Sequence, residues 1–380
     1  MATDAPRHLV LLGAGHAHLQ VLVRLARLSR ARRAQLRVTL VSPYPLQLYA
    51  SMLPGFVAGH YTLADCTINL NSLIAASGVE FLQCRATRVD AAARKVEMVL
   101  HSNLHSISYD VLSLDTGAVL DRNRVEQVLP GAREHALFLR PLENFAAQWE
   151  RLCTLPASAA QRMVVVGGGA SGVELALALK HRLPQASVSL LSGPQPPAAA
   201  YPAGPRKKAL RALHAAGIVV LQKTCSSIAA DQLTLDDGST LACDVPLLAL
   251  GAQAPAWLAR SGLTLDGEGF LAVNPWQQSL SHPEVFGAGD VTSRADIRHP
   301  KSGVYALEAA QVLAGNLLAA AVGGKLKIHR PPEKTLTLLS CGSQTAIASW
   351  GRWSAQGAWV WRWKDRRDQR FVRKYRNIGK

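Results

Sequence analysis

The chain has 380 residues, of which 48% are hydrophobic and 18% charged. This composition excludes an intrinsically disordered protein, and the length suffices for two or three domains with cores of their own. The formal net charge is +16, and residues 362–380 hold nine Lys or Arg residues against Asp365 and Asp368. This basic tail either contacts an acidic surface or serves solubility alone.

The six cysteines are scattered, and none forms a Cys-x-x-Cys pair. Their spacing argues against a metal site or a disulfide framework and fits a reducing compartment. No charged-then-apolar leader follows Met1, so we expect no signal peptide and a cytoplasmic protein. The longest apolar stretch, residues 307–324, contains Glu308, Gln311 and Asn316, which predicts a soluble helix rather than a membrane span.

The first predicted unit is a strand, a glycine turn and a helix in residues 7–21. Gly13 and Gly15 match the first two glycines of the G-x-G-x-x-G pattern, and His18 stands in place of the third. In this pattern the third glycine lets the helix pack on the strand, so we expect His18 to push the two apart. These residues alone leave a nucleotide loop and an ordinary helix start equally open. The second strand ends on Ser42, where a carboxylate for ribose hydroxyls is missing.

The next segments are a loop and several strands. Residues 49–61 have no regular period and predict a shaped loop. Residues 79–99 predict a strand pair, and residues 109–117, YDVLSLDTG, predict an apolar strand that ends in a small-residue turn. Residues 130–149 then form a connector that contains proline and glycine.

The strongest motif is residues 162–180, RMVVVGGGASGVELALALK. Its β-branched run predicts a strand buried on both faces. Gly167, Gly169 and Gly172 complete the G-x-G-x-x-G pattern, and a helical period follows. Because the glycines lie between a strand and a helix, the motif predicts a nucleotide site with phosphates at the helix N-terminus, rather than a plain glycine-rich turn.

The strand after this motif, residues 186–191, also ends on a neutral residue, Ser192. Arg206, Lys207 and Lys208 close the loop that follows. A neutral residue near cations tolerates a 2′-phosphate, so NADPH stays open beside NADH, with a solvated loop as the plain alternative.

Two later stretches repeat the pattern of a buried strand with a small-residue end. Residues 245–251, VPLLALG, form one of them. Residues 284–291, EVFGAGDV, predict a strand that runs into Gly289 and Asp290, with a helix beginning near residue 302. An aspartate after such a turn can hold sugar hydroxyls while backbone amides face phosphate; the alternative is a helix N-cap.

The C-terminal region predicts strands in LTLLSCG, TAIASWG and AWVWRWK. Trp359, Trp361 and Trp363 alternate, so all three indoles would share one face of a strand. They form either the core of a small β layer or an interfacial surface, because a basic tail follows. Each Lys or Arg near an anionic membrane contributes about 1 kcal/mol, so peripheral membrane attachment stays open.

Taken together, two nucleotide turns, two small-residue strand ends and the late Gly-Ala-Gly-Asp resemble the two-dinucleotide-binding-domain flavoproteins. These include the pyridine nucleotide–disulfide oxidoreductases and type II NADH dehydrogenases. GAGHAH, LYASMLPGFVAGHY, YDVLSLDTG, LPGAREHAL and WRWKDRRDQRF look most like the FAD-dependent oxidoreductase branch found fused to selenide, water dikinase. The resemblance covers nearly the whole chain.

The resemblance implies an α/β fold with two Rossmann-like domains and a small C-terminal β-rich region. The FAD domain would be discontinuous, from residues 1–125 and 280–330, with the NAD(P)H domain, residues 140–279, inserted. Residues 331–380 would form the β layer with its basic tail. The implied activity is an FAD-dependent oxidoreductase that accepts hydride from NADH or NADPH and passes electrons to a second acceptor, with a quinone as one candidate.

The resemblance also implies site residues. Glu174 matches a glutamate that faces the nicotinamide and a proton route in type II NADH dehydrogenases, although it is also a good first-turn helix residue. Lys301 would approach the isoalloxazine ring; these two are the implied catalytic residues. The implied cofactor-binding residues are Gly13, Gly15, His16, Ala17, His18, Ser42, Pro43, Ala86, Thr116, Gly117, Gly167, Gly169, Ala170, Ser171, Gly172, Gly251, Gly289, Asp290, Gly303 and Val304.

The chain departs from relatives of this kind in three places. Type II dehydrogenases carry paired glutamines near the quinone, where this chain has Glu308 and Ala309. Disulfide reductases carry a cysteine pair near residues 49–61, and this chain has none. Sulfide:quinone reductases need cysteines flanking the flavin, for which Cys341 is one candidate. The alternatives are therefore a sulfide:quinone reductase-like enzyme, or a flavin-bearing redox sensor that docks on a membrane, with nucleic acid less favoured.

Overall fold

The computed structural model describes residues 5–100, 102–154, 161–298, 300–376 and 378. The helices in these ranges are α1 (His16–Ala26), α2 (Arg30–Arg33), α3 (Leu53–Val57), α4 (Leu63–Cys66), α5 (Asn71–Ser77), α6 (Arg122–Val128), α7 (Ala132–His135), α8 (Leu142–Thr154), α9 (Ala170–Arg182), α10 (Ala203–Ala215), α11 (Gly303–Val322) and α12 (Ala358–Arg376). The strands are β1 (Arg7–Leu12), β2 (Leu36–Ser42), β3 (Leu46–Leu48), β4 (Thr67–Asn69), β5 (Glu80–Gln83), β6 (Arg85–Asp90), β7 (Lys95–Leu100), β8 (Asn103–Ser108), β9 (Val111–Leu114), β10 (Leu137–Phe138), β11 (Arg162–Val166), β12 (Ser187–Leu191), β13 (Val219–Leu221), β14 (Cys225–Ile228), β15 (Gln232–Leu235), β16 (Thr240–Ala242), β17 (Val245–Leu248), β18 (Leu271–Val273), β19 (Val285–Gly287), β20 (Thr292–Arg294), β21 (Thr337–Ser340), β22 (Ala346–Trp350) and β23 (Trp353–Gly357).

The first large sheet has the order β19-β9-β1-β2-β5, and all its strands are parallel. Its central strand, β1, is buried from Leu9 to Leu12, as expected for a parallel strand with helices on both faces. The sheet is built from distant parts of the chain, since β19 joins strands from the first 114 residues. The predicted α/β fold with parallel sheets is confirmed.

The second large sheet has the order β10-β17-β11-β12-β13 and is also parallel. Its strands all lie between residues 137 and 221, apart from β17. The predicted buried strand is β11, in which Met163 to Val166 are buried. The exact domain boundaries stay a prediction.

Smaller sheets surround these two. β6-β7-β8 and β14-β15-β16 are antiparallel, and β21-β22-β23 forms an antiparallel C-terminal sheet. The strands predicted in LTLLSCG and TAIASWG are therefore confirmed. Two-stranded pairs, β3-β4 and β18-β20, complete the set. Arg206 to Lys208 lie in α10, not in a loop as expected.

The predicted strand AWVWRWK is wrong, because these residues begin the long helix α12. Its buried residues recur at helical spacing: Val360, Lys364, Asp368, Val372 and Tyr375. The alternation of tryptophans spans only five residues, whereas the three-to-four-residue period continues over the whole segment. Residues 362–376 of the basic tail therefore belong to a packed helix.

The long apolar helix α11 packs along α1. Among the described residues it is the one helix long and apolar enough to cross a membrane, and half of its apolar window is buried inside the protein. The core helices of soluble proteins show the same combination. Most of its other residues are half-buried, and Gly303, Glu308 and Gln311 are exposed.

Candidate functional site

Three short turns meet at the carboxyl edge of the first sheet. Residues 13–16 follow β1, Thr116–Gly117 follow β9, and Gly289–Asp290 follow β19. Gly13 has a φ of 90°, and a Cβ on it would lie 2.6 Å from the Cα of Thr116. The turns therefore approach one another backbone to backbone, and together they form a cradle at the start of α1.

His18 is fully buried behind this cradle. Its Nδ1 lies 2.5 Å from the carbonyl oxygen of Gly13, and its Nε2 lies 2.8 Å from the hydroxyl of Ser113. Because a carbonyl only accepts, Nδ1 carries the proton and Nε2 accepts from Ser113. Burial lowers the pKa of His18 to about 4, so the ring is neutral. It fills the space between helix and strand and fixes the turn.

Asp115, which the sequence reasoning missed, lies beside the same turn. It is buried, its backbone oxygen accepts from the amide of Gly15 at 3.1 Å, and its Oδ2 accepts from the amide of His18 at 2.9 Å. Burial raises the pKa of Asp115, and hydrogen bonds from the amides of His18 and Ala17 oppose the shift. In the described residues the amides of Ala14 and His16 have no acceptor, and they remain for a phosphate.

Asp290 also fits a bound cofactor. Its Oδ1 is buried and has no hydrogen-bond partner among the described residues, and its Oδ2 lies 3.4 Å from Nη2 of Arg140. It does not cap a helix. A buried carboxylate oxygen without a partner is costly unless a ligand donates to it, and a sugar hydroxyl of FAD is a suitable donor.

Arg140 is a second residue that the sequence reasoning missed. It comes from the connector, and its Nη1 donates to the backbone oxygen of Ala118 at 3.4 Å. Burial, followed by the charge of Arg140, lowers the pKa of His16 to about 4. Arg140 therefore brings a positive charge to the cradle, where a pyrophosphate would benefit from it. The only signal in the sequence was an arginine among the prolines of the connector.

The other predicted residues on this side follow neighbouring strands. Ser42 is buried at the end of β2, donates to the backbone oxygen of Tyr44 at 3.2 Å, and precedes Pro43. Ala86 is partly buried in β6, directly after β5. Gly303 and Val304 begin α11, as predicted. Their contacts with a cofactor stay a prediction.

Two contacts hold the side chain of Lys301. Its Nζ donates to the backbone oxygen of Thr292 at 2.7 Å and lies 3.6 Å from the ring centroid of Phe270. Burial lowers the pKa of Lys301, and the charges of Asp266 and Asp290 oppose this. The ammonium group thus places positive charge near Asp290, while a direct catalytic role stays a prediction.

The second glycine turn lies at the carboxyl edge of the second sheet. Gly167 has a φ of 129°, and a Cβ on it would lie 2.3 Å from the backbone oxygen of Ala249. A Cβ on Gly172 would lie 1.8 Å from the oxygen of Gly167. The first turn of α9 contains no acidic residue. The amides of Ala170 and Ser171 have no acceptor among the described residues, as expected of a helix N-terminus that can bind a phosphate.

Further residues at this edge follow β12 and β17. Gly251, after β17, has open space around its Cα. Ser192 donates to the backbone oxygen of Gln195 at 2.8 Å. Lys208 donates to Ser354 of the C-terminal sheet at 3.0 Å, so this cation is occupied by a structural contact rather than held for a 2′-phosphate.

Glu174 lies one turn into α9, where the C-terminal sheet covers the helix. Its Oε1 accepts from the backbone amide of Ser340 at 2.7 Å. Burial raises the pKa of Glu174 to about 7, and the charge of Lys364 opposes this shift. The carboxyl group can therefore hold or release a proton near neutral pH.

A buried ion pair links α12 to Ser51, in the segment 49–61, where the structure has a 3-10 helix (Ala50–Met52) and α3 instead of the expected loop. Nζ of Lys364 donates to Oδ2 of Asp368 at 2.6 Å and to the backbone oxygen of Ser51 at 2.5 Å. The hydroxyl of Ser51 donates to the same carboxylate at 3.0 Å. Buried pairs of this kind favour one packing register over others, and this one fixes α12 beside Glu174.

Of the six cysteines, Cys153 is exposed and the other five are buried. All six are free thiols. Burial raises the pKa of Cys341 to about 12, and the charge of Glu174 adds to the shift, so this thiol is protonated and a poor nucleophile at neutral pH. Within the described ranges, no three His, Cys, Asp or Glu side chains converge as they would around a metal ion.

Comparison with known proteins agrees with this arrangement. The sequence pattern of the pyridine nucleotide-disulphide oxidoreductases matches residues 7–311. Demethylphylloquinone reductase NdbB of Synechocystis sp. is 27% identical over 296 residues, 76% of this chain and 72% of that protein. Ferroptosis suppressor protein 1 of Xenopus tropicalis is 30% identical over 203 residues, so the match spans 50% of this chain and only 53% of that relative.

Among solved structures, NDH2 from Plasmodium falciparum in complex with NADH superposes with a TM-score of 0.79. The match covers 98% of this chain and 99% of that one at 14% sequence identity. At this identity the likeness shows a shared fold alone.

Proposed function

The chain belongs to the pyridine nucleotide-disulphide oxidoreductase family, and from this premise we propose that it is an FAD-dependent enzyme that oxidises NADH or NADPH and passes the electrons to a quinone. The observation that carries the proposal is the pair of glycine turns. One chain places two of them at the carboxyl edges of two separate parallel sheets, which is where dinucleotides bind in open α/β sheets. The finer resemblance, to the branch fused to selenide, water dikinase, stays a prediction.

The first turn would hold FAD. The amides of residues 14 and 16 would bind its pyrophosphate, Oδ1 of Asp290 would accept from a sugar hydroxyl, and Thr116 and Gly117 would line its ring. FAD supplies a centre that accepts a hydride and releases electrons singly or in pairs. The second turn would bind NADH or NADPH through the amides at the start of α9.

Glu174 would accept and donate protons during turnover. Reduction of a quinone to a quinol consumes two protons, so a group that exchanges them near neutral pH is required. Glu174 has a pKa of about 7, raised by burial, and lies under the C-terminal sheet beside Ser340. Lys364, close enough to oppose that shift, would limit how far the carboxyl group favours its protonated form.

A quinone acceptor rests on likeness to the quinone reductase NdbB. The paired glutamines expected near a quinone are absent, because this chain has Glu308 and Ala309 at those positions. Glu308 is exposed on α11, and Ala309 is buried and accepts from the side chain of Gln277. The quinone contacts of this chain would therefore differ from those of the type II dehydrogenases. The protonated thiol of Cys341 argues against the sulfide:quinone reductase alternative.

The proposed reaction is tested by anaerobic stopped-flow mixing. The flavin absorbance band should bleach with NADH or NADPH within the turnover time and return when a short-chain quinone is added. Bleaching by sulfide instead would favour the sulfide reductase. No bleaching by either nucleotide, with FAD bound, would favour the redox-sensing protein.

We also propose that the protein attaches to the inner face of a membrane through its C-terminal region. Four tryptophans there are about half exposed: Trp350 (54%), Trp353 (49%), Trp359 (50%) and Trp363 (40%). Trp361 instead packs at 5.7 Å from the ring of His60. The outer face of α12 carries arginines beside these indoles. Exposed indoles next to cations are typical of interfacial helices.

Vesicle sedimentation tests this attachment. Replacing Trp359 and Trp363 with Ser should abolish binding to vesicles that contain anionic lipid, and high salt should weaken it. Trp276, 37% exposed elsewhere on the surface, provides the matched control when it is replaced with Ser. Equal binding by the double variant and the unchanged protein would exclude this surface.

A further inference from the structure

A groove of about 730 Å³ opens at the C-terminal ends of α1 and α11. Both helices begin at the cofactor cradle, with His16 and Gly303 as their first residues. At a rise of 1.5 Å per residue, the 11 residues of α1 and the 20 residues of α11 place the far ends of these helices roughly 16 and 30 Å from the cradle. The groove is therefore separate from the proposed FAD site, and none of its lining residues belongs to the second glycine turn.

Four cationic side chains line this groove. They are Arg24, Arg32, Lys325 and Lys327, and none forms an ion pair with an acidic side chain among the described residues. The sequence explains why: residues 5–64 and residues 309–332 contain no Asp or Glu. The positive potential of the groove is thus not neutralised by nearby carboxylates.

The floor of the groove is apolar. Leu28 comes from the segment after α1, and Val312, Leu318, Ala319 and Val322 come from α11. Leu28, Val312, Ala319 and Val322 are half-buried, and Leu318 is buried. A concave apolar floor with a few charged groups, at a volume of several hundred cubic ångströms, is typical of small-molecule sites.

We propose that this groove binds a single-chain anionic amphiphile, in which a carboxylate or phosphate head is joined to an aliphatic chain. The arginines and lysines would bind the head, since both groups accept charge-assisted hydrogen bonds. The apolar floor would cover the chain and remove it from water. A neutral quinone would leave the four cations without partners, and a free inorganic anion would leave the floor uncovered.

The probe for this site is dodecyl phosphate below its micelle concentration, added to the flavin-loaded full chain. Binding should be seen by calorimetry and as a rise in the unfolding temperature, because a ligand that binds only the folded protein stabilises it. Inorganic phosphate provides the anionic head without the chain, and dodecyl maltoside provides the same chain with an uncharged head. Each should bind at least about tenfold more weakly, since it loses one of the two sets of contacts.

Two variants locate the site. Arg24→Glu combined with Lys325→Glu should weaken binding about tenfold or more, because two attractive contacts become repulsive. Gly315→Leu should remove binding by filling the groove. The nearest atom to a Cβ at 315 is the flexible end of Arg24, at 3.4 Å, and leucine is a better helix former than glycine, so the variant should stay folded.

Arg30→Glu is the control, since Arg30 is exposed on α2 and does not line the groove. Retained binding in this variant, with loss in the other two, supports the proposal. Equal loss in Arg30→Glu, equal binding of dodecyl maltoside, or full binding of inorganic phosphate would each overturn it. Binding to anionic vesicles without binding of the monomeric probe would also overturn it and make this face a membrane contact.

Discussion

The two glycine turns build the same strand–turn–helix geometry with different residues. In the second turn Gly172 has no side chain, and α9 packs so closely that a Cβ would lie 1.8 Å from the oxygen of Gly167. In the first turn the corresponding residue is His18, and its expected effect, to push α1 away from the strand, stays a prediction. The imidazole then donates to the oxygen of Gly13 at 2.5 Å.

A second pair of positions shows the same contrast. Leu114 pairs with Leu12 in the first sheet, and Leu248 pairs with Val166 in the second. The residues that follow are Asp115 in the first sheet and Ala249 in the second. A carboxylate oxygen of Asp115 accepts from the amide of His18 in the first turn of α1, whereas the methyl side chain of Ala249 cannot accept a hydrogen bond.

This difference suits two cofactors with different lifetimes on the protein. The first turn is locked by two buried, hydrogen-bonded side chains, which favours a site organised in advance for a cofactor that stays bound. The second turn is held by backbone packing and by backbone hydrogen bonds, from the amide of Gly167 to the oxygen of Leu191 at 2.8 Å and from the amide of Ala198 to the oxygen of Gly168 at 2.7 Å. Such a site suits a nucleotide that binds and leaves in every cycle.

Gly172→Ala should have the largest effect. Its Cβ would collide with backbone that cannot move aside, so we expect a loss of about 3 kcal/mol or more in the free energy of unfolding, together with loss of NAD(P)H binding. Gly169→Ala is the stability control, since nothing lies within 4 Å of its Cβ. Denaturant unfolding measures both. Equal stability of the two variants would show that close packing does not hold the second turn.

His18→Gly should come next, although it restores the common pattern. It leaves a cavity and strips partners from Gly13 and Ser113, which should cost about 2–3 kcal/mol and most of the bound FAD. His18→Asn should retain part of both, because its amide can still donate. Flavin content after purification measures the bound FAD, and urea unfolding measures the loss of stability. A fully loaded, stable His18→Gly protein would mean that the imidazole is only tolerated.

Glu174→Gln should change how stability depends on pH. Burial raises the pKa of this carboxyl from 4.5 to about 7, so the folded protein binds the proton more tightly than the unfolded chain. The stabilisation is full below pH 4.5 and is lost as pH rises through 7, by on the order of 3 kcal/mol. The variant should lack this loss between pH 5 and pH 8, whereas Glu150→Gln, at an exposed position on α8, should keep it. Parallel curves for Glu174→Gln and the unchanged protein would contradict the shift.

Ser192→Asp should have the smallest effect. In each large sheet a serine stands at the end of the strand that follows the glycine turn and its helix: Ser42 ends β2, and Ser192 directly follows β12. A carboxylate at position 192 would accept from ribose hydroxyls and repel a 2′-phosphate. The apparent KM for NADPH should rise about tenfold relative to that for NADH. Steady-state assays with both donors measure this ratio. An unchanged ratio would show that the ribose of the donor does not lie at the end of β12.

The sequence was informative wherever local pattern decides structure. The glycines at 13, 15, 167, 169 and 172, the parallel strands before them and the start of α11 all follow from periodicity and spacing. The roles of Asp115 and Arg140 did not follow from local pattern, because each depends on contacts between elements that are distant in the sequence. Asp115 accepts from amides of α1, and Arg140 comes from the segment between β10 and α8. In α12 the brief alternation of tryptophans concealed a longer helical period.

The most direct test that the first turn binds FAD and the second binds the hydride donor uses Ala170→Glu, at the first residue of α9. A glutamate there favours the helix dipole, so the protein should fold, but its charge would repel a dinucleotide phosphate. Ala203→Glu, at the first residue of α10, is the matched control. Anaerobic stopped-flow mixing with NADH should show normal FAD content in both variants and bleaching that is at least about tenfold slower only in Ala170→Glu. Bleaching at the normal rate in Ala170→Glu would contradict the assignment of the second turn to the hydride donor.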